Sequence, residues 1–265
     1  MSPEYYVVKR RTILKKRSIL GVSFSDHTMA ETITYLDWVL NKEKAQPFHI
    51  ITANPEIVMQ VNRDNEFKKI AEASDLIVAD GIGIVWGSFI LGRRIKNRIM
   101  GIDLLTELFG LCEQKKHSVY LLGASEETNQ TLYEQIRKEY PNLKIAGRRN
   151  GYFDVDEDDE IVSQIRESDV DFLVMAMGSP RAHKWFKKNR DKLNIKMTID
   201  VGGGFDALTG AVKRAPAFVQ KMNIEWLYRR LQDPSRKERQ KDLYRFAFEV
   251  VKERVWIGYR PRKSS

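Results

Sequence analysis

The stretch from Asp75 to Trp86 is where this chain best combines a reactive side chain with backbone able to bring it to a ligand. A short apolar strand, Leu76 to Ala79, stops at the carboxylate of Asp80, with Gly81, Gly83 and a renewed apolar segment following at once. That is the pattern of a strand-to-helix turn. In an open parallel sheet ligands sit beyond the carboxyl ends of the strands, so Asp80 stands where a substrate would be met. Gly81 and Gly83 let backbone approach such a ligand and permit the turn. The alternative is that Asp80 only caps the helix that follows.

Other groupings offer less. Gly81, Gly83 and Gly87 superficially match a dinucleotide turn, but the third spacing is wrong and the turn follows the third strand instead of the first. Glu107, at the distance of a ribose-binding acid, falls in a helical pattern. Asp154 and Asp156 could pair on a metal serving a nucleotide diphosphate, yet they lead into acids at 156 to 160 that read as a solvated helix start. His27, His49, His117, His183 and Cys112 share no metal-ligand spacing, so neither a structural metal nor a cofactor is expected. No Ser-His-Asp or Cys-His arrangement can be drawn from local sequence.

The elements that must hold Asp80 alternate between strand and helix. Ser18 to Phe24 reads as a first strand, followed by a helix capped by Asp26 or Thr28 and running to about Asn41. Phe48 to Thr52 is a strand broken by Thr52-Ala-Asn-Pro-Glu56, where Pro55 opens a helix through about Asn62. Further strands are Leu76 to Ala79, Ser118 to Leu122, Leu143 to Ala146, Phe172 to Met175 and Met197 to Val201. Helices fill Leu104 to Lys116 and Glu126 to Tyr140, and another opens at Asp156 to Glu160. Gly123, Gly178 and Gly202 follow strands, and Gly151-Tyr-Phe153 is a loop. The expected fold is α/β: a mostly parallel, Rossmann-like sheet with helices on both faces over residues 1–212. A C-terminal helical basic appendage over 213–265 completes it, with two helices, Pro216 to Leu231 and Ser235 to Tyr259.

Composition agrees. The 265 residues are 42% apolar, enough for a substantial core, and the single cysteine fits a reducing compartment. The basic start Lys9 to Arg17 leads into an apolar run too short for a secretory core, and Ile82 to Leu91 is far too short to span a bilayer. We therefore expect a cytoplasmic protein, free or on a membrane surface. Residues 213–265 hold 15 Lys and Arg against 6 Asp and Glu, a net of +9 that equals the charge of the whole chain. A charge excess confined to one tail suits a polyanion, a diphosphate or an anionic membrane. On the last helix Leu243, Phe246, Ala247, Val250, Val251 and Ile257 share a face opposite Lys241, Arg245, Glu249 and Lys252. Docking on lipid and packing on the sheet domain or a second subunit are both open.

Many separate motifs occur in one order: Thr52-Ala-Asn54-Pro-Glu, Ala79-Asp80-Gly81-Ile-Gly83, Gly101-Ile-Asp103-Leu, Leu122-Gly123-Ala, Gly151-Tyr-Phe153, Gly203-Gly-Phe205-Asp, Arg214-Ala-Pro216, and Glu225-Trp through Arg239. Over residues 18 to 245 the chain resembles the WecG/TagA/CpsF glycosyltransferase family. The resemblance implies an inverting, metal-independent transferase moving a sugar from a UDP donor to a polyprenyl-diphosphate-linked N-acetylglucosamine. The sugar is N-acetylmannosamine in the TagA type, with another UDP-hexose as the alternative. Such an enzyme would serve teichoic acid, cell-wall polymer or exopolysaccharide assembly, peripheral on the inner face of the plasma membrane.

The resemblance also assigns roles. Asp80 would be the general base, Thr52 an essential hydroxyl, and Arg229, Arg236 and Arg239 of the appendage the cations that shield the leaving diphosphate. Arginine forks suit phosphate oxygens. Asn54, Gly81, Gly83, Gly123, Tyr152 and Gly178 are placed near the substrates. One departure stands out: after Gly178-Ser-Pro180 the family carries a basic residue, then Gln-Glu, whereas this chain has Arg181, Ala182 and His183. That puts the donor contact in doubt, and His183 reads either as a replacement or as a helix-surface histidine. The partners expected are a UDP-sugar, the lipid-linked acceptor and an anionic membrane, with no nucleic acid. Homo-oligomerisation is open. A competing class is a membrane or nucleic-acid adaptor using the tail on an inert core.

Overall fold

The computed structural model describes residues 15–212 and 237–259, with side chains of the last segment described over 241–256. The expected first strand proves to be a hairpin. β1 (Lys16–Ile19) and β2 (Val22–Ser25) pair antiparallel about Leu20 and Gly21, whose φ angles of 47° and 82° make a tight left-handed turn. The hairpin stands outside the main sheet and buries Ile19, Val22 and Phe24.

The main sheet is parallel throughout. β3 (Phe48–Ala53), β4 (Leu76–Ala79), β5 (Ser118–Gly123), β6 (Lys144–Arg149), β7 (Phe172–Ala176) and β8 (Met197–Asp200) run in the order β4-β3-β8-β7-β5-β6. The last strand made therefore slots into the middle, with β3 on one side and β7 on the other. Strands buried on both faces read as the near-continuous apolar runs seen in the sequence.

Helix starts follow local chemistry. α1 (Met29–Leu40) has Thr28 as cap in a reciprocal box with Glu31, so of the two candidate caps Thr28 serves. α2 (Pro55–Arg63) is capped by Asn54 with Pro55 at its first position. α3 (Asn65–Glu72), capped by Asp64, is a helix that the sequence reading passed over. α4 (Ile82–Ile90) and α5 (Gly101–Lys115) follow, then α6 (Glu126–Glu139) capped by Ser125. A 3-10 turn over Val155–Glu157 leads into α7 (Asp158–Glu167), with Asp154 and Glu157 forming a capping box. The acids at 154 to 160 thus open a helix, as expected. α8 (Arg181–Asn189) and α9 (Gly204–Thr209) close the sheet domain, and α10 (Lys237–Tyr259) is the second appendage helix. The first, expected over Pro216 to Leu231, lies outside the described residues.

Alternate strand residues build two different layers. One face carries a single continuous cluster in which Ile50, Val78, Leu121, Val174 and Ile199 meet α1, α5 and α6. On the other, Ile51 and Ile77 join the hairpin, α2, α3 and α4, while Leu122, Leu173 and Met175 join α7 and α8 as a separate cluster. Between these two lies a buried polar seam of His49, His183, Thr198 and Asp200. Placing His183 there corrects its reading as a surface residue. It shares the inner stripe of α8 with Phe186, three residues on.

α10 packs on the sheet domain through part of its expected apolar face. Phe246 and Val250 are buried against α4, and Leu243 approaches Gly83. Arg63 of α2 grips Asp242 through two bonds of 2.7 and 2.6 Å, and Arg93 meets Glu253 at 2.7 Å. A second line, Tyr244, Phe248, Val251 and Val255, at spacings of four, three and four residues, faces solvent, and Ala247 and Val251 of the expected apolar face lie exposed.

Candidate active site

Every strand of the main sheet ends on the same edge, so the candidate residues gather there. β3 and β4 run in register with Ala53 beside Ala79, which sets Thr52 and Asp80 at adjacent strand ends. The Asp80 N–H donates to Ala53 O at 3.1 Å. Its carboxylate accepts the Gly101 N–H at 3.2 Å, and its carbonyl accepts Arg98 Nε at 2.7 Å. Gly81, with no side-chain bond, is the cap of α4, so Asp80 does not cap the helix that follows it. It answers the first N–H of α5 instead. The N-termini of α4 and α5 both open beside it. Asp80 stays half-buried, reachable from the crevice.

Thr52 is buried beside it and donates its hydroxyl to the Asp200 carbonyl at 3.1 Å. A Cβ on Gly101 would stand 3.1 Å from the Thr52 hydroxyl oxygen, so the missing side chain at 101 lets α5 seat against both residues. Gly81 and Gly83 have a similar packing use: a Cβ at either would come within 2.8 Å of Pro55. The Asn54 side chain accepts Ile57 N–H at 3.0 Å as the α2 cap.

The remaining candidates lie further along the edge. Gly123, at φ 144°, ends β5 where a Cβ would strike the Ala176 backbone at 2.5 Å, and Gly151 abuts Gly123 in turn. Tyr152 projects from that loop and is 78% exposed. Gly178, at φ 76°, follows β7 and faces open space. Four strand spacings separate the Asp80 end from the Gly123 end, about 19 Å. These residues cannot all surround one small group; they follow one edge of the sheet, long enough for an extended ligand.

Beneath the crevice the seam is tightly bonded. Asp200, 3% exposed, accepts Met177 N–H at 3.3 Å, and the N–H groups of Gly178 and Gly202 also bond its carboxylate. Burial nonetheless pushes its pKa up to about 7. His183 Nε2 lies 4.0 Å from Asp200 Oδ2, and its Nδ1 lies 3.0 Å from His49 Nε2. Burial lowers His183 to about 4 and takes His49 well below its usual value, with His183 and Arg190 adding to the latter. Phe67 stacks on His183, with centroids 5.3 Å apart.

Arg98 and Asp200 were not singled out by the sequence reading. Asp200 carries the same signal as Asp80, a carboxylate ending an apolar run, but taking the strand on to Val201 hid it. Arg229 and Arg236 lie outside the described residues; Arg239 falls within α10, where its side chain is not described. Among the described residues, no group of three or more His, Cys, Asp or Glu is placed to hold a metal ion. No helix there is long and apolar enough to cross a membrane.

The profile of the glycosyl transferase WecG/TagA/CpsF family matches residues 17–259. The chain is 32% identical over 245 residues to proteins of Staphylococcus aureus strains MRSA252 and MW2. The match covers 92% of this chain and 96% of each relative. Both are named N-acetylglucosaminyldiphosphoundecaprenol N-acetyl-beta-D-mannosaminyltransferase.

Proposed function

For this chain, which belongs to the WecG/TagA/CpsF family and is a glycosyltransferase, we propose transfer of N-acetylmannosamine from UDP to N-acetylglucosaminyl-diphosphoundecaprenol, with inversion. The observation that carries the reading is Asp80: a solvent-reachable strand-end carboxylate fixed by Gly101 N–H, beside Thr52 at one end of an extended crevice. The acceptor hydroxyl attacks the anomeric carbon as Asp80 takes its proton, the carbon–oxygen bond to UDP breaks, and UDP leaves carrying the negative charge. A single displacement of this kind inverts the anomeric centre.

The donor lies along the crevice, its sugar near Asp80 and Thr52 and its nucleotide toward Gly123 and Tyr152. Gly178 sits between, where an extended diphosphate would pass. The charge gained by the leaving UDP falls to cationic donors, Arg229, Arg236 and Arg239. That assignment rests on the family pattern and on the basic excess of the tail.

The lipid substrate implies a membrane surface, and two features support docking there. The outward line of α10 carries Tyr244, Phe248, Val251 and Val255, with exposed Lys241, Arg245 and Lys252 beside it. On α4, which α10 covers, Trp86 and Phe89 are 64% and 68% exposed. Apolar contact and charge attraction to anionic lipid reinforce each other in such a face. Its place would be the cytoplasmic leaflet, where teichoic acid precursors would be built.

Incubating the purified protein with a panel of UDP-sugars and a synthetic lipid-diphosphate acceptor, then weighing products and assigning the new linkage by NMR, tests the reaction. N-acetylmannosamine is expected in the inverted configuration. Retention, or exclusive use of another hexose, would overturn the stated reaction. Flotation with anionic liposomes tests the docking, which fails if binding is unchanged after residues 213–265 are removed.

A further inference from the structure

The buried seam beneath the strand ends is left unused by the proposed chemistry. Asp200 is placed to organise three strand ends at once. Its carbonyl receives the Thr52 hydroxyl from β3, and its carboxylate receives Met177 and Gly178 N–H from the loop after β7 and Gly202 N–H from its own turn. Gly178 and Gly202 both adopt left-handed backbone, with φ of 76° and 52°. Bonds from backbone N–H to a carboxylate are strongest when it is ionised.

We propose that Asp200 is a positioning residue for the donor: its buried carboxylate, backed by the His183–His49 pair, holds the loops after β7 and β8 in the arrangement that receives the nucleotide diphosphate. This rests on the reading of the crevice as a UDP-sugar site.

The histidines supply the coupling. In the 3.0 Å contact one imidazole must donate and the other accept. If His49 Nε2–H donates to His183 Nδ1, the His183 proton sits on Nε2, facing Asp200, and favours the ionised carboxyl. If His183 Nδ1–H donates instead, a lone pair faces Asp200 and favours its protonated form. At 4.0 Å the contact is electrostatic, too long for a direct hydrogen bond. Among the described residues the titratable groups facing Asp200 in the seam are His183 on α8 and, behind it, His49 on β3, both favoured neutral by burial, with Arg190 beyond them 3.6 Å from Asp75. The departure from the family pattern becomes intelligible here. The family's acid at position 183 would set a second buried carboxylate against Asp200, whereas His183 can face it with an N–H.

The test uses the full-length protein. Donor KM and kcat are measured with a UDP-sugar, whose diphosphate diester does not titrate between about pH 5.5 and 8.5. In wild type, donor KM should fall as pH rises and Asp200 ionises. Asp200→Asn should raise donor KM about tenfold, shift kcat less, and flatten the pH profile. His183→Gln, which keeps a polar side chain in the seam, should displace the inflection of the wild-type profile without abolishing binding. Asp200→Asn with wild-type KM and an unaltered profile would overturn the positioning role. Should Asp200→Asn fail to fold, an unshifted inflection in His183→Gln would overturn it equally. A wild-type protein that binds no UDP-sugar would instead overturn the donor assignment beneath it.

Discussion

Asp80 and Asp200 end two strands of one sheet, with only β3 between them, and the contrast teaches how environment divides labour between identical side chains. Asp80 is half-buried, touches the N–H that opens α5 and can be reached by a substrate. Asp200 is sealed beneath the crevice, bonded to backbone from two loops, and meets histidine instead of solvent. The first is placed to exchange protons with a ligand; the second is placed to hold backbone.

The sharpest break in this comparison is Asp80→Asn. It should lower transfer by about 10²- to 10⁴-fold, as expected for loss of a general base, while melting temperature and UDP-sugar binding stay unchanged. Near wild-type turnover in the lipid-acceptor assay would remove Asp80 from the chemistry.

Stability against pH probes the other aspartate. Between the ordinary Asp value and about 7, native Asp200 keeps a proton that the unfolded chain has released, so its contribution falls as pH rises. His183, lowered to about 4, and His49, also lowered, act oppositely: as pH falls below about 6.5 the unfolded chain takes up protons that the native histidines refuse. Denaturation midpoints of wild type should therefore rise only gently from pH 4 to 6.5. Asp200→Asn should steepen that rise by removing the opposing slope; parallel curves would mean that Asp200 does not hold its proton.

Two smaller effects bound the comparison by leaving both carboxylates in place. Arg63→Met leaves the buried Asp242 to Arg245 alone, 3.2 Å away, and, because Arg63 is itself half-exposed, should cost only about 1–2 kcal/mol and loosen α10, read by chemical denaturation and limited proteolysis. Thr52→Val removes one buried donor to Asp200 and should cost about 1 kcal/mol in stability. A loss of transfer well beyond that figure would give the hydroxyl a part in the reaction, whereas a matching loss would make it a strut.

Much of this was legible in the chain. Runs ending in glycine or aspartate marked the strands, and Pro55 and the pair Asp26 or Thr28 marked helix starts because their preferences are local. The hairpin was hidden because its turn puts Leu20, a residue without turn preference, at positive φ. α3 was hidden in a polar stretch whose apolar positions, Phe67, Ile70 and Ala71, are few. The site was half legible. Asp80 announced itself through its glycines, but the meaning of His183 depends on β8 arriving last in the chain and entering the centre of the sheet, where Thr198 and Asp200 interrupt an otherwise apolar layer. No local pattern carries that.

Gly87 has a mechanical corollary. A Cβ there would lie 3.0 Å from the Phe246 ring and 3.2 Å from Val250, so α10 rests directly on the α4 backbone. From Ile82, where α4 opens two residues after Asp80, to that seat is five residues, about 7.5 Å of helix. The short helix thus serves as a ruler: wherever α10 anchors, the reacting carboxylate works at one set height above it, and a bulkier residue at 87 would change the gauge.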